Sequence, residues 1–453
     1  MNEFRMLSTS GILGYGYAEE SLKIGMTWEP HVIGCDGGST DPGPYYLGAG
    51  KSFTSRLSVK RDLRLMLIAA TSAGIPCIIG TSGGAGGEPH LQDTAALVRE
   101  IAREERLSFK MALIHSEQPK DDLIRWIDAG LTTPLARMKP LDAAMVNGAE
   151  RIVGMMGPEP FMKALDEGAQ VILAGRSSDP AQWAGPAIRA GMAPGPSWYA
   201  GKMLECGAEP TVPKEPDCIF LRVRNDHVIC EPPNPIRRST PLAVANFALH
   251  ENSSPIHHVE PGGLLDTSAC NFIPISDRAV KIDGMTWTPA QQYTIKLEGV
   301  EKTGYRAISI CGTRDPVLIG QIDSYLETHR QKVATKAQSF GVPPKDYSLI
   351  VHVYGRDGVM GGWEPQKEIT SHELGFVIEV VGKTQDVANA VLAMARTSML
   401  HADFPGRLCK EGNMAFPFSP SDIEMGAMYR FSVFHTVAVD DPCAMFPIEY
   451  ERV

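Results

Sequence analysis

The sequence predicts an α/β protein, with an N-terminal, mostly parallel β-α-β domain followed by a smaller α+β domain. Between residues 31 and 200, short apolar runs alternate with stretches of helical periodicity, the pattern of right-handed β-α-β crossovers around a parallel sheet or a partial barrel. Beyond about residue 216 the runs alternate apolar and polar positions, as strands solvated on one face do. Between these regions lies 191–216, rich in Gly and Pro and weakly periodic, so the expected domains are 1–205, carrying the Gly-rich strand-end loops, and 206–453. A length of 453 residues suits two domains.

In chain order, the first expected strand covers 31–34 and leads to a helix over 56–72, with Leu63, Leu67 and Ala70 on one face and Gly74 placed to end it. A strand over 76–80 is followed by a helix over 93–105, where Ala95, Val98 and Ala102 share a face. Strands follow at 110–114, 151–155 and 170–174, with a helix between the last two that opens at Pro158 and stops at Gly168. In the second half, strands are expected at 218–224, 293–297, 305–311, 348–354 and 376–381, with helices over 317–340 and 384–399. The Met pairs 155/156 and 425/428 read as core.

The formal net charge of −10, with Lys and Arg only in isolated pairs such as Lys60-Arg61 and Arg237-Arg238, excludes a nucleic-acid surface and leaves room for small anionic substrates held by local groups. No apolar run reaches the ~18 residues of a membrane span, and the N-terminal residues lack the pattern of a secretion signal, so a cytoplasmic protein without membrane contact is expected. Nine cysteines, widely spread and without a C-x-x-C, read as reduced thiols, mostly buried. Cys35 reads as packing rather than as a nucleophile.

Four expected strands end in polar loops, and in a parallel sheet ligands bind at the carboxyl ends of the strands. The first loop, C-D-G-G-S-T-D at 35–41, offers Asp36 as base or metal ligand, with Asp41 as a second metal ligand and Gly37, Gly38 and Ser39 lining a substrate site. The second, T-S-G-G-A-G-G-E-P-H at 81–90, matches neither a Walker A loop nor a dinucleotide fingerprint. Its Ser82, Gly83 and Gly84 suit an anion-binding nest beside Glu88 and His90. The third, His115-Ser116-Glu117, combines a candidate proton donor with a carboxylate, although Ser116 reads equally well as a helix cap. The fourth, A-G-R-S-S-D-P-A at 174–181, offers Arg176 as a carboxylate holder, Ser177 and Ser178 beside it, and Asp179 as base, metal ligand and cap of the helix opening at Pro180.

Elsewhere, His257, His258, Glu260 and Asp266 are metal-competent types without metal-site spacing, and a turn with partly buried imidazoles fits them better. The stretch 354–365 reads either as a lid carrying Arg356, Asp357 and Trp363 or as a long hairpin loop.

Five segments together resemble the acyclic terpene utilisation family, AtuA. They are C-D-G-G-S-T-D-P-G at 35–43, G-T-S-G-G-A-G-G at 80–87, M-G-P-E-P-F at 156–161, A-G-R-S-S-D-P-A at 174–181 and A-D-F-P-G-R at 402–407. The resemblance implies a catabolic protein acting near acyl-CoA or organic-acid chemistry, often beside a small companion protein, and it assigns no catalytic residue.

The loops supply what a lyase or isomerase needs to move water or a double bond next to a carboxylate or thioester. Arg176 and the Gly-rich loop would hold the anion, Asp36 or Asp179 would act as base, and His115 or Glu88 as proton donor, with Mg²⁺ or another divalent cation as the cofactor such a site could take. A hydrolase fits less well, because Ser82 and Ser177 lack the G-x-S-x-G elbow. A non-catalytic subunit, or an acyl-CoA-binding partner of a carboxylase or hydratase system, is the remaining alternative. The expected partners are a small anionic substrate or acyl-CoA and further copies of the chain.

Overall fold

In the computed structural model, which describes residues 2–250, 254–408 and 410–453, the chain forms two compact units. One comprises 1–301 and 431–453, the other 302–430. The expected boundary near residue 205 falls inside the first unit, because the strand at 219–223 returns to the sheet begun by the N-terminal residues.

The first unit is built on β1 (Phe4–Ser8), β2 (Val32–Asp36), β3 (Cys77–Gly80) and β4 (Lys110–Ile114), followed by β5 (Thr132–Pro134), β6 (Arg151–Met155) and β7 (Val171–Ala174). Strands β1, β2, β3, β7 and β4 lie side by side in that order, all parallel. Every residue of β2, β3 and β7 is buried, which is why V-I-G-C-D, C-I-I-G and V-I-L-A read as continuous apolar runs rather than alternating ones. The helix Arg56–Ala73 is capped by Ser55, whose hydroxyl accepts from the Ser58 N–H, and ends at Gly74 in the left-handed conformation. It buries Leu63, Met66, Leu67 and Ala70, and the helix Glu88–Glu105 buries Ala95, Val98 and Ala102, as the periodicity requires.

β8 (Ile219–Val223) pairs antiparallel with β1 and continues to β9 (His227–Glu231). A hairpin of β10 (His257–Glu260) and β11 (Gly263–Asp266) precedes β12 (Asn271–Pro274), β13 (Val280–Asp283) and β14 (Thr286–Pro289). Strands β13 and β12 extend the main sheet beyond β9, and β14 joins the hairpin as a separate three-stranded sheet. The following strand, β15 (Thr294–Thr313), is continuous where the sequence suggested two, because it is paired along both parts, at 296–300 and again at 305–313. Its residues 296–300 pair antiparallel with β6, so β6 is not a member of the parallel sheet, as its apolar run had suggested.

In the second unit β16 (Tyr347–Tyr354) and β17 (Leu374–Gly382) pair antiparallel, and β17 also pairs with residues 305–313 of β15. The expected helix over 317–340 is two, Pro316–Ile319 and Ile322–Ser339, separated at Gly320, while the helix Gln385–His401 matches its expected place. The 354–365 stretch joins β16 to β17. β18 (Asp422–Ala438) carries Met425, which is exposed rather than core, and leads back to the first unit, where β19 (Ile448–Arg452) closes the main sheet against β4. Among the described residues Cys35, Cys77, Cys218, Cys230, Cys270, Cys311 and Cys443 are free thiols; Cys409 lies outside them. No helix of the described residues is long and apolar enough to cross a membrane.

Candidate functional site

The strand order places the carboxyl ends of β2, β3, β7 and β4 in one row, so the four polar loops of the sequence are neighbours. The loops also interlock. The Gly37 N–H donates to the Gly80 carbonyl, and a Cβ at Gly37 would stand 2.3 Å from the Thr81 oxygen, so only glycine fits there. A Cβ at Gly86 would meet the Arg176 nitrogen at 2.2 Å. Ser116 fastens the second and fourth loops: its hydroxyl donates to the Gly86 carbonyl and accepts from the Arg176 N–H, both at 2.7 Å, which is its role here rather than a helix cap. Thr81 has φ +38°, a strained conformation for a β-branched residue, and its hydroxyl accepts from the Ser177 N–H.

Above these loops a cleft of about 460 Å³ opens, lined by Asp41, Arg176, Ser178, Asp179, Lys202, Glu205, Glu260 and Lys296 among others. The Arg176 guanidinium is buried at its floor. Its Nε donates to Glu298 at 2.8 Å, and its Nη1 to Asp179 at 3.0 Å and to the Ser177 carbonyl at 2.8 Å. Burial pushes the Glu298 carboxyl up, but the charges of Arg176 and Lys296 outweigh it and hold the group at about 2. Asp179 goes the other way: burial raises it to about 6 despite its pairing with Arg176, with Glu205 adding to the rise. Asp36, 5% exposed, is raised well above the usual carboxylate range, first by burial and then by the charge of Asp179, and its Oδ1 has no partner. Burial also lifts Glu260 to about 7, even though it accepts a hydrogen bond from Ser178. Lys202 pairs with Glu205 at 2.6 Å; burial works against the charge of each, and the pairing outweighs it, raising the lysine and lowering the glutamate.

The structure therefore brings Asp36, Asp179 and Arg176 together, with Ser177 buried beside them and Ser178 on the wall of the cleft. Gly38 donates its N–H to Asp36, and Ser82 lies fully buried with an unpartnered hydroxyl. Asp41 sits exposed at the rim, accepting from the Ser39 hydroxyl at 2.7 Å. Gly83 and Gly84 pack against His90 and Phe53, and Gly83, together with Gly37, lines a second cavity, of about 290 Å³, between Lys51–Arg56 and the helix Glu88–Glu105. Asp179 does not cap the next helix, whose N-cap is Pro180 with no side-chain bond, because Arg176 takes its carboxylate. His115 pairs through Nδ1 with Glu88 at 2.8 Å rather than with Glu117, which instead holds Arg151 and the Glu88 N–H. This pair belongs to the β4 end, and by strand spacing His115 stands roughly 14 Å from Asp36.

Asp36 and Asp41 are not part of any group of three metal-competent donors among the described residues; the group that does occur is Glu205, Cys206 and His250. Sequence reading missed Lys202, Glu205, Lys296 and Glu298. The first two lie in the Gly- and Pro-rich stretch read as a boundary, where a Lys and a Glu three residues apart on the helix Pro194–Leu204 and its C-cap are the only signal. Lys296 and Glu298 sit on one face of β15, where period-two spacing reads as an ordinary solvated face.

Comparison with curated proteins and with solved structures gives no match. Residues 58–212, which hold the second, third and fourth loops and the helices between them, match the family model described as acyclic terpene utilisation family protein AtuA, and over this span the resemblance carried by the motifs is borne out.

Proposed function

We propose that the cleft is the active site of a lyase or isomerase that adds or removes water, or moves a double bond, next to the carboxyl or thioester group of a small organic acid or acyl-CoA. The observation that carries this reading is the pairing of Asp36 with Asp179: two carboxyls beside one arginine, the first buried and the second half-buried, both raised, one of them to about 6. Groups raised in this way act as acid and base near neutral pH. The match to a terpene-utilisation family over 58–212 supports a branched, unsaturated acid as the substrate class.

In this reading Asp179, ionised, takes a proton from the carbon next to the carbonyl. Asp36, protonated, gives its proton to the departing hydroxyl, so a C–H and a C–O bond break, a C=C bond forms and water leaves. The charges fit an anionic substrate. With Asp36 and Glu260 protonated, the ionised Asp179, Glu205 and Glu298 are balanced by Arg176, Lys202 and Lys296, and the one carboxylate left over in the lining is Asp41, exposed at the rim.

The test is to incubate the chain in D₂O with branched 2,3-unsaturated and 3-hydroxy acids and their CoA thioesters, following deuterium incorporation by mass spectrometry. Asp179→Asn and Asp36→Asn, folded by circular dichroism, should each lower the rate by about 10²-fold or more. In the parent, kcat/KM should rise with pH through about 6 as Asp179 loses its proton, and this limb should vanish in Asp179→Asn. Absence of exchange with every substrate, or unchanged rates in both variants, rejects the assignment.

A further inference from the structure

We propose that Glu205, Cys206, His250 and His258 form a metal site for zinc or a similar borderline divalent cation, at the end of the cleft bounded by the helix Pro194–Leu204. Three of the four already stand together: the Glu205 carboxylate, the Cys206 sulfur and a His250 ring nitrogen lie within 4.8 Å of one another. His250 Nε2 is 3.2 Å from Glu205 Oε1 and 3.8 Å from Cys206 Sγ. In a tetrahedral zinc site, bonds of 2.0–2.3 Å to N, O and S put neighbouring donors about 3.3–3.6 Å apart, so these separations are close to the edges of such a tetrahedron.

The independent observation is His258. It is 1% exposed, and neither ring nitrogen has a partner, an expensive state for a buried imidazole. Its strand, β10, alternates exposed and buried residues, which puts His258 on the same face as Glu260, the residue that reaches Ser178 in the cleft. The charged groups that act on its ring are Lys202, Glu205, His250 and His257, three of them in or beside the proposed site. A fourth donor is thus buried and unsatisfied within electrostatic reach of Glu205 and His250, and binding a metal would draw it in to join the three that already converge.

The local fold favours a cation here. Glu205 and Cys206 follow directly on the C-terminus of the helix Pro194–Leu204, and His250 follows the C-terminus of Pro241–Ala248, so the negative ends of two helix dipoles meet the site. The Lys202 ammonium, 2.6 Å from Glu205 Oε1 and 3.4 Å from His250 Nε2, marks where positive charge is held. A divalent ion would take that place, with Lys202 moving off and the Cys206 thiol giving up its proton. One thiolate, two imidazoles and one carboxylate select zinc, or cobalt as its spectroscopic substitute, over magnesium or calcium.

The site is tested by metal binding alone, so its failure and that of the proposed reaction are distinguishable. The 453-residue chain, treated with chelator and titrated with Co²⁺, should bind one equivalent, show the visible bands of tetrahedral cobalt with a thiolate-to-metal band in the near ultraviolet, and lose both on adding Zn²⁺. Cys206→Ser should abolish the thiolate band. His258→Ala, which removes a side chain without hydrogen-bond partners, should weaken Co²⁺ binding at least tenfold with the far-ultraviolet circular dichroism unchanged. No cobalt binding by the parent chain, or binding that keeps its spectrum and affinity in both variants, overturns the proposal.

Discussion

The buried guanidinium of Arg176 is the residue on which the site turns. Removing one partner from a buried ion pair leaves an uncompensated charge, which typically costs 3–5 kcal/mol, whereas the intact pair contributes little beyond an apolar replacement. Glu298→Gln should therefore destabilise the chain by about 3 kcal/mol in urea unfolding at pH 7, and Arg176→Met added to Glu298→Gln should recover much of the loss. The pH dependence has a definite sign. Because the carboxyl of Glu298 is held at about 2, below its ordinary value, its stabilisation is fully present above about 4.5 and fades as pH falls toward 2. The gap between parent and Glu298→Gln should accordingly be constant from pH 7 to 5 and shrink below pH 4.5, and a gap that widens on acidification would contradict the pairing. Arg176 and Asp179 were legible from A-G-R-S-S-D-P-A alone, because a charged pair three residues apart at a strand end is unusual. Glu298 was not: it lies 122 residues from Arg176, a separation no local pattern spans.

At the scale of elements, continuous apolar runs gave β2, β3, β4 and β7 nearly to the residue, because strands buried on both faces have no polar positions to blur them. The same rule misplaced β6, whose run is equally apolar but pairs antiparallel with β15; periodicity reports burial, not partners. It also passed over β1, where F-R-M-L-S carries an arginine inside a parallel strand. The loops were located correctly, yet their interlocking was invisible, since Ser116 binds Gly86 and Arg176 only once the strands are ordered. That interlocking predicts a sharp positional effect. Gly37→Ala would drive a methyl to 2.3 Å from the Thr81 oxygen, so the first and second loops must separate. Thermal unfolding should show a loss on the order of 2–3 kcal/mol, and Asp36 chemistry should fall with it. Gly362→Ala, with nothing within 4 Å and no left-handed φ, should stay within about 0.5 kcal/mol of the parent. Equal behaviour of the two variants would mean that the loops do not need this contact.

The whole chain divides in a way that composition could not show, because the polypeptide leaves the first unit at residue 301 and re-enters it at 431. A Gly- and Pro-rich stretch suggests a linker, but 191–216 holds the buried helix Pro194–Leu204, and the passage between units instead runs along β15 and β18, strands that look like any others. Each unit has its own apolar core. In the second, Phe376, Ile378, Val391 and Leu392 pack in one cluster, and Phe376 is 1% exposed. Cutting Phe376 to alanine should remove about 3–5 kcal/mol, the usual cost of deleting a buried aromatic ring, from the unit that contains it. Hydrogen exchange read by mass spectrometry distinguishes where that loss is felt. In Phe376→Ala, peptides from β16, β17 and the helix Gln385–His401 should exchange at least tenfold faster, while peptides covering β2, β3 and β7 keep their protection. Equal acceleration in both sets would mean that the chain unfolds as one cooperative body, and the residues of the proposed site would then depend on the second unit for their order.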